Sequence, residues 1–313
     1  MVLPTRRGSL PLFRFSGVQV YLHWSWFLVL VYMIQVRRGA YSSILWNVAE
    51  CLSLFLIVLL HEFGHSLACR SVGGQANQIM LWPFGGVAYV KPPQRPGATL
   101  WSIAAGPLVN VVLAPMLTVL VALGRSFGWP DGDAFRLLNT IWDINIGLLM
   151  FNMLPLYPLD GGQILQSLLW FVIGRARSML VASIIGLCGT VGLFVVIGVF
   201  TDGLERIWGL LIVGFLGMMC WRGLLYARIL SKVARLPHRV GYACPSCRQQ
   251  PIIGAFWTCS NCGHRFDMFD TQATCPNCRA YFPATPCLDC GEANPFPDWI
   301  MADALPPRVN LQA

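Results

Sequence analysis

The stretch 54-LFLIVLLHEFGHSLACR-70 places ionisable side chains inside a segment suited to a lipid bilayer. Seven consecutive apolar residues precede His61, Glu62 and His65, and apolar character then resumes before Arg70. An ionisable residue at the centre of a membrane-spanning helix costs about 2.5–3.5 kcal/mol on insertion scales, and such residues usually carry a function. The stretch therefore predicts a transmembrane helix that contributes to a functional site.

The composition of the 313-residue chain is that of a membrane protein. Hydrophobic residues make up 56% of it and charged residues 12%, whereas soluble domains carry about 25% charged residues. We expect an all-α polytopic membrane domain over residues 1–235, with about six transmembrane helices. The apolar runs cover approximately residues 18–36, 44–69, 98–123, 137–171, 179–200 and 207–229. The first run is interpreted as an uncleaved span, because two arginines follow it where a signal peptide would have small residues.

The basic residues predict the orientation of the chain. If all six runs cross, thirteen basic residues lie on one side of the membrane and five on the other. Both termini are therefore predicted to be cytoplasmic, in a bacterial cell membrane. His61 would lie roughly 13 Å below the cytoplasmic surface, at about 1.5 Å per helical residue from Arg70. This distribution also accounts for the formal charge of +8.

His61 and His65 are four residues apart, so on a helix they point to the same side, one turn apart. Two imidazoles at this spacing suit a tetrahedral zinc ion, and the adjacent Glu62 can act as general base on a water that the metal activates. The alternative is a chance pattern, or histidines whose polar groups are satisfied inside a helix bundle. The insertion cost argues against that alternative.

A catalytic zinc site needs a third protein ligand, and the fourth apolar run offers one. The run is too long for one helix and contains Pro155, Pro158 and a pair of glycines, so we expect a break near its middle. Asp160 lies in that break, whereas Glu50 is roughly 16 Å along the helix from His61 and too far away. The alternative for Asp160 is a simple turn-forming role before the two glycines.

Four motifs resemble the site-2 proteases, which are intramembrane zinc metalloproteases, and in particular the branch of sporulation-factor-processing enzymes. They are HEFGH at 61–65, FGG at 84–86, AAGPLVN at 104–110 and NMLPLYPLDGG at 152–162. The resemblance implies that His61, His65 and Asp160 bind one catalytic zinc and that Glu62 activates water. It also implies that Asn152 faces the substrate backbone or the developing oxyanion.

The stretch 79-IMLWPFGGVAYV-90 predicts a β-hairpin, because bulky residues flank two adjacent glycines. The resemblance implies a re-entrant β element here, which could hold a substrate in extended form by strand addition. An interfacial loop is the alternative, since Pro83 disfavours a central strand. In the third run, Gly106, Pro107 and Asn110 are expected to permit close helix packing beside the site.

Eight of the twelve cysteines form four C-x-x-C pairs: Cys244/Cys247, Cys259/Cys262, Cys275/Cys278 and Cys287/Cys290. Two such pairs complete a zinc site with four thiolate ligands, so residues 244–313 are predicted to form a cytoplasmic double zinc ribbon with about two structural zinc ions. Pairing of sequence neighbours is the simplest arrangement, and cross-braced pairing stays open because the intervals are short. Disulfides are the alternative, which a reducing compartment disfavours.

The charge of residues 244–313 indicates a protein partner for the ribbon. Four arginines stand against six acidic residues, a net charge of −2, whereas a nucleic-acid module normally presents a basic face. Nucleic acid is therefore an unfavoured partner.

The predicted function is a zinc-dependent endopeptidase that cleaves a transmembrane segment of another membrane protein near the cytoplasmic face, in regulated intramembrane proteolysis. Two alternatives use the same ligands: a metal transporter or sensor, and an inactive membrane scaffold. Transporters often repeat broken helices in related halves, and this sequence has one strong break. The presence of all the expected catalytic residues disfavours the scaffold.

Overall fold

The computed structural model describes residues 8–82, 85–128 and 132–301. It divides the chain into two units, Met1–Arg228 and Ile229–Ala313, a little before the predicted linker at 236–237. The helices are α1 Trp26–Val36, α2 Ile44–Ser71, α3 Pro96–Ser126, α4 Asp133–Asn152, α5 Asp160–Ile173, α6 Arg175–Phe200 and α7 Gly203–Val233. The first four strands are β1 Ser9–Phe15, β2 Val18–His23, β3 Gln75–Trp82 and β4 Gly85–Lys91.

Within the described residues, four helices are long and apolar enough to cross a membrane, which are α2, α3, α6 and α7. The other two of the about six expected spans are divided between shorter elements. The first apolar run divides between strand β2 and helix α1, and α1 has only 11 residues. The fourth run divides between α4, which carries the charged residues Asp133, Arg136 and Asp143, and the 14-residue α5.

Strand β2 forms where a membrane helix was expected because its alternate residues fill a core. Val18 and Val20 are fully buried together with Ile79 and Leu81 of β3. The four strands form one sheet in the order β1-β2-β3-β4, in which β2 and β3 are parallel. β4 is therefore an edge strand.

The predicted hairpin is confirmed by the antiparallel pairing of β3 with β4, in which Leu81 faces Gly86 and Trp82 faces Gly85. Pro83 and Phe84 lie outside the described residues.

The predicted break in the fourth run lies between Asn152, the last residue of α4, and Asp160, the first residue of α5. Two glycines let α5 begin directly against this loop. A Cβ at Gly162 would lie 2.5 Å from the carbonyl carbon of Leu156, and one at Gly161 would overlap the Met153 carbonyl oxygen. Leu156 is 2% exposed and anchors the loop against α6. These contacts with the loop backbone fix the position of α5 and therefore of Asp160, its first residue.

The second unit contains two short hairpins around an aromatic core. Strand β5 Trp257–Thr258 pairs with β6 Arg265–Phe266, and β7 Ala284–Pro286 pairs with β8 Ala293–Pro295. A 3-10 helix, Phe296–Trp299, follows. The buried core also holds cysteines from all four C-x-x-C pairs, either at its centre or packed against it.

Candidate metal centre

The structure brings together the three residues predicted as metal ligands. His61 and His65 lie on α2, and Asp160 begins α5, 99 residues away from His61 along the chain. All three side chains are buried. Helix α2 supplies two ligands one turn apart, and the break before α5 supplies the third.

The distances between the three side chains match those of a tetrahedral zinc site. His61 Nε2 lies 3.0 Å from Asp160 Oδ2, His65 Nε2 lies 3.4 Å from Asp160 Oδ1, and the two Nε2 atoms are 3.1 Å apart. Two ligand atoms at 2.0–2.1 Å from one zinc, at the tetrahedral angle, are about 3.3 Å apart. One ion could therefore contact all three groups without rearrangement of the helices.

The hydrogen bonds of the two histidine Nδ1 atoms determine which ring nitrogens carry lone pairs. His65 Nδ1 lies 2.9 Å from the carbonyl oxygen of Ser102, which can only accept a hydrogen bond. His61 Nδ1 lies 2.6 Å from Asn110 Oδ1. Both Nδ1 atoms therefore donate, and both Nε2 atoms carry lone pairs directed at the Asp160 carboxylate.

This convergence of acceptors fits a bound cation. Two imidazole lone pairs and a carboxylate repel one another in a buried site unless a positive charge lies between them. A proton on one imidazole would satisfy only part of the set, whereas a metal ion satisfies all three groups. Two nitrogens and one oxygen, with a fourth position left open, are the donor set of catalytic zinc sites.

Room for the two imidazoles comes from small residues where α2 meets α3. A Cβ at Gly106 would overlap the His65 ring and lie 2.9 Å from His61 Nε2. On the α2 side, a Cβ at Gly64 would lie 2.6 Å from the carbonyl oxygen of Ala105. The expected close packing at Gly106 is therefore confirmed, and the neighbours of this glycine are the histidine rings.

Glu62 lies between the two histidines in sequence and contacts the edge strand β4. Its Oε2 accepts a hydrogen bond of 2.8 Å from the backbone N–H of Ala88. A side chain at Gly86 would overlap the Glu62 carboxylate, so the glycine of the FGG motif permits this approach. The general-base candidate and the edge strand β4 therefore lie side by side.

Asn152 also lies at the centre. Its Nδ2 is 3.4 Å from His61 Nε2, at the last residue of α4 before the break. The role that the resemblance implies for it stays a prediction.

Sequence reasoning missed three groups around the histidines. Asn110 was assigned to helix packing, but its side chain accepts from His61, and Asn145 of α4 bonds to Asn110 in turn. An asparagine inside an apolar run was the available signal for both. The Ser102 carbonyl is a backbone group and leaves no signal in the sequence.

The eight ribbon cysteines form two nested groups, which corrects both the sequential and the cross-braced pairing. The outer group is Cys244, Cys247, Cys287 and Cys290, and the inner group is Cys259, Cys262, Cys275 and Cys278. The closest Sγ–Sγ distances between pairs run from 3.5 Å to 3.8 Å. A tetrahedral zinc with bonds of about 2.3 Å places its sulfurs about 3.8 Å apart, and a disulfide would need about 2.05 Å. The first and last C-x-x-C pairs meet because the chain between them folds back as the inner ribbon.

Local hydrogen bonds prepare part of the inner group for metal binding. The Asn277 side chain lowers the pKa of the Cys262 thiol to about 6, which favours the thiolate form. In the outer group, burial raises the pKa of Cys287, and a bound cation would offset that effect. His264 is exposed, as expected for a residue beside four available thiolates.

Comparison with known proteins agrees with this geometry. Peptidase family M50 matches residues 49–131 and 128–196. "Zinc metalloprotease MJ0392" of Methanocaldococcus jannaschii is 34% identical over 178 residues, 57% of this chain and 50% of that protein. "Stage IV sporulation protein FB" of Bacillus subtilis is 34% identical over 119 residues, 36% of this chain and 38% of that protein. The chain spans about half the length of the curated relatives it matches, or less.

Among solved structures, the site-2 protease from Methanocaldococcus jannaschii has the same fold. The TM-score is 0.50 at 29% sequence identity, and the match covers 69% of this chain and 95% of the solved one.

Proposed function

We propose that this chain is a zinc-dependent intramembrane endopeptidase of peptidase family M50, the family of the site-2 proteases that it resembles in sequence and fold. Its substrate would be a transmembrane segment of another protein, cut near the cytoplasmic face. The proposal rests on one observation: His61, His65 and Asp160 converge, with Glu62 beside them, and all four are buried among apolar helices. A buried site of this kind suits a substrate that is itself apolar.

The chain is an integral membrane protein with four helices able to span the bilayer. We place both of its termini in the cytoplasm, because basic residues concentrate on the side that carries them. If the first and fourth apolar runs also cross, as the sequence predicts, α2 runs inward, its two histidines lie in its inner half, and cleavage occurs toward the cytoplasmic leaflet.

His61, His65 and Asp160 would hold the zinc ion, and Asn110 and the Ser102 carbonyl would keep the two imidazoles oriented. When bound, zinc supplies a Lewis acid that polarises the scissile carbonyl and makes water more acidic. Glu62 accepts the proton of the attacking water and then delivers it to the leaving nitrogen of the peptide. The Asn152 side chain donates toward the oxygen on which negative charge develops.

The edge of β4 would bind the substrate as an added strand. A transmembrane helix has to unwind before its peptide bond can reach a metal, and the extended chain then needs partners for its backbone groups. Ala88 donates from β4 toward Glu62, so a strand paired along this edge passes the general base. The backbone N–H and C=O groups of the substrate strand would then form hydrogen bonds with β4.

The second unit would hold two structural zinc ions, one in each nested cysteine group. Its excess of acidic over basic residues favours contact with a protein, such as the substrate or a regulatory partner, over contact with nucleic acid.

Mapping of new protein termini in membranes tests this function and identifies the substrate in the same experiment. Membranes from cells that express the chain and from cells that lack it would be compared by quantitative N-terminal mass spectrometry. We expect chain-dependent termini inside hydrophobic segments of about 20 residues, toward their cytoplasmic ends. Chain-dependent termini confined to water-exposed loops would contradict intramembrane cleavage. The absence of any chain-dependent terminus, with metal flux in vesicles instead, would favour a transporter.

A further inference from the structure

Two buried asparagines form a reciprocal pair behind the metal centre. Asn110 of α3 and Asn145 of α4 are both fully buried. Asn110 Nδ2 donates to Asn145 Oδ1 at 2.8 Å, and Asn145 Nδ2 donates back to the backbone oxygen of Asn110 at 3.0 Å. The remaining amide oxygen, Asn110 Oδ1, lies 2.6 Å from His61 Nδ1.

The backbone carbonyl of Asn110 determines which groups donate and which accept in this network. The Asn110 backbone carbonyl can only accept, so Asn145 has to present its NH2 group there and its oxygen toward the Asn110 side chain. That oxygen accepts from the Asn110 NH2 group, which leaves Asn110 Oδ1 facing His61. Rotation of either amide by 180° would set two acceptors or two donors against each other in a buried region. His61 therefore donates from Nδ1 and keeps a lone pair on Nε2.

We propose that Asn110 and Asn145 are positioning residues that lock His61 in its metal-binding tautomer and so set the metal affinity of the centre. The inference rests on the proposed function, because it takes His61 as a metal ligand. Asn145 acts only through Asn110, since the hydrogen bonds of its side chain go to that residue.

The two histidines differ in how their orientation is maintained. His65 is oriented by a backbone carbonyl, which substitution leaves in place, whereas His61 depends on two side chains from two helices. The amide pair also joins α3 to α4, the helix that ends at the break before Asp160. The Asn110–Asn145 pair thus links the orientation of His61 to α4, the helix that leads to Asp160.

Metal affinity, measured by competition with a chelator on the purified full-length chain, tests the proposal independently of activity. Loss of an orienting partner of a ligating histidine typically weakens metal binding 10–100-fold. We expect that loss in Asn145→Leu and in Asn110→Leu. Asn110→Asp keeps an oxygen acceptor for His61 Nδ1 but loses the NH2 group that bonds to Asn145 Oδ1, so it should lose less affinity than Asn110→Leu. The control is Asn139→Leu on the same helix, because Asn139 donates only to the Phe135 carbonyl of its own turn and should leave affinity unchanged.

The metal that belongs to this centre is defined as the fraction lost in His61→Ala, which separates it from metal on the ribbon cysteines. Wild-type affinity in both leucine variants would overturn the proposal. So would equal losses in Asn110→Asp and Asn110→Leu, because that pattern indicates packing alone. If Asn110→Leu does not fold, Asn145→Leu and the aspartate variant decide the question. If His61→Ala loses no metal, the proposed function itself fails, which is a distinct result.

Discussion

Replacement of Glu62 by glutamine should lower the cleavage rate about 10²–10⁴-fold while zinc stays bound. Glutamine has the same shape, and its amide oxygen can still accept the hydrogen bond from the Ala88 N–H, so the local structure should persist. It cannot accept a proton from water, however, and the leaving nitrogen would receive none from it. The measurement is the rate of cleavage of a transmembrane substrate found by terminus mapping, together with the zinc content of the same preparation.

The exposed Glu205 at the start of α7 provides the matched control. Glu205→Gln makes the same chemical change away from the centre and should cleave at the wild-type rate. Retained cleavage in Glu62→Gln would exclude Glu62 as the general base. Loss of zinc in that variant would instead show that Glu62 maintains the metal site.

Replacement of Gly106 by alanine should remove most of the activity although no ligand is changed. The added Cβ would overlap the His65 ring and lie 2.9 Å from His61 Nε2, so either the imidazoles or helix α3 must move. Overpacking of this kind costs about 1–3 kcal/mol, and displacement of a catalytic group by about 1 Å can lower the rate about 10²-fold. We expect a loss of cleavage of that order, with weaker zinc binding in the chelator competition.

Gly147 of α4 is the control for this substitution, because a Cβ there meets nothing within 4 Å. Gly147→Ala should keep zinc and activity, and the higher helix propensity of alanine should favour the helix. Gly106→Ala with wild-type zinc affinity and activity would mean that the two imidazoles do not occupy the positions described.

The elements that carry the centre could be predicted because each leaves a local pattern. The i, i+4 histidines require a helix to converge, and the prolines and glycines around Asp160 interrupt a run too long for one helix. The paired glycines at 85 and 86 likewise predict a hairpin, and the structure forms it as β3 and β4. In each case the signal lies within a few residues of the feature.

The remaining features depend on contacts between distant segments. Val18 and Val20 are as apolar as a membrane span requires, and only their burial against β3 makes them part of a strand. The nested cysteine groups depend on how the ribbon folds back, which the spacing of the pairs does not determine. Asn110 and Asn145 show their reciprocal role only once α3 and α4 are packed together.

The intramembrane zinc centre is best tested by the number of zinc ions per chain, measured by elemental mass spectrometry on the purified full-length protein. Three groups of potential ligands predict about three zinc ions in the wild type and about two in Asp160→Ala, which removes one ligand of the intramembrane centre. Asp143→Ala, at an exposed position of α4, is the control and should keep the wild-type value. Equal zinc content in the wild type and Asp160→Ala, or a wild type that holds only the ribbon zinc ions, would contradict an intramembrane zinc centre.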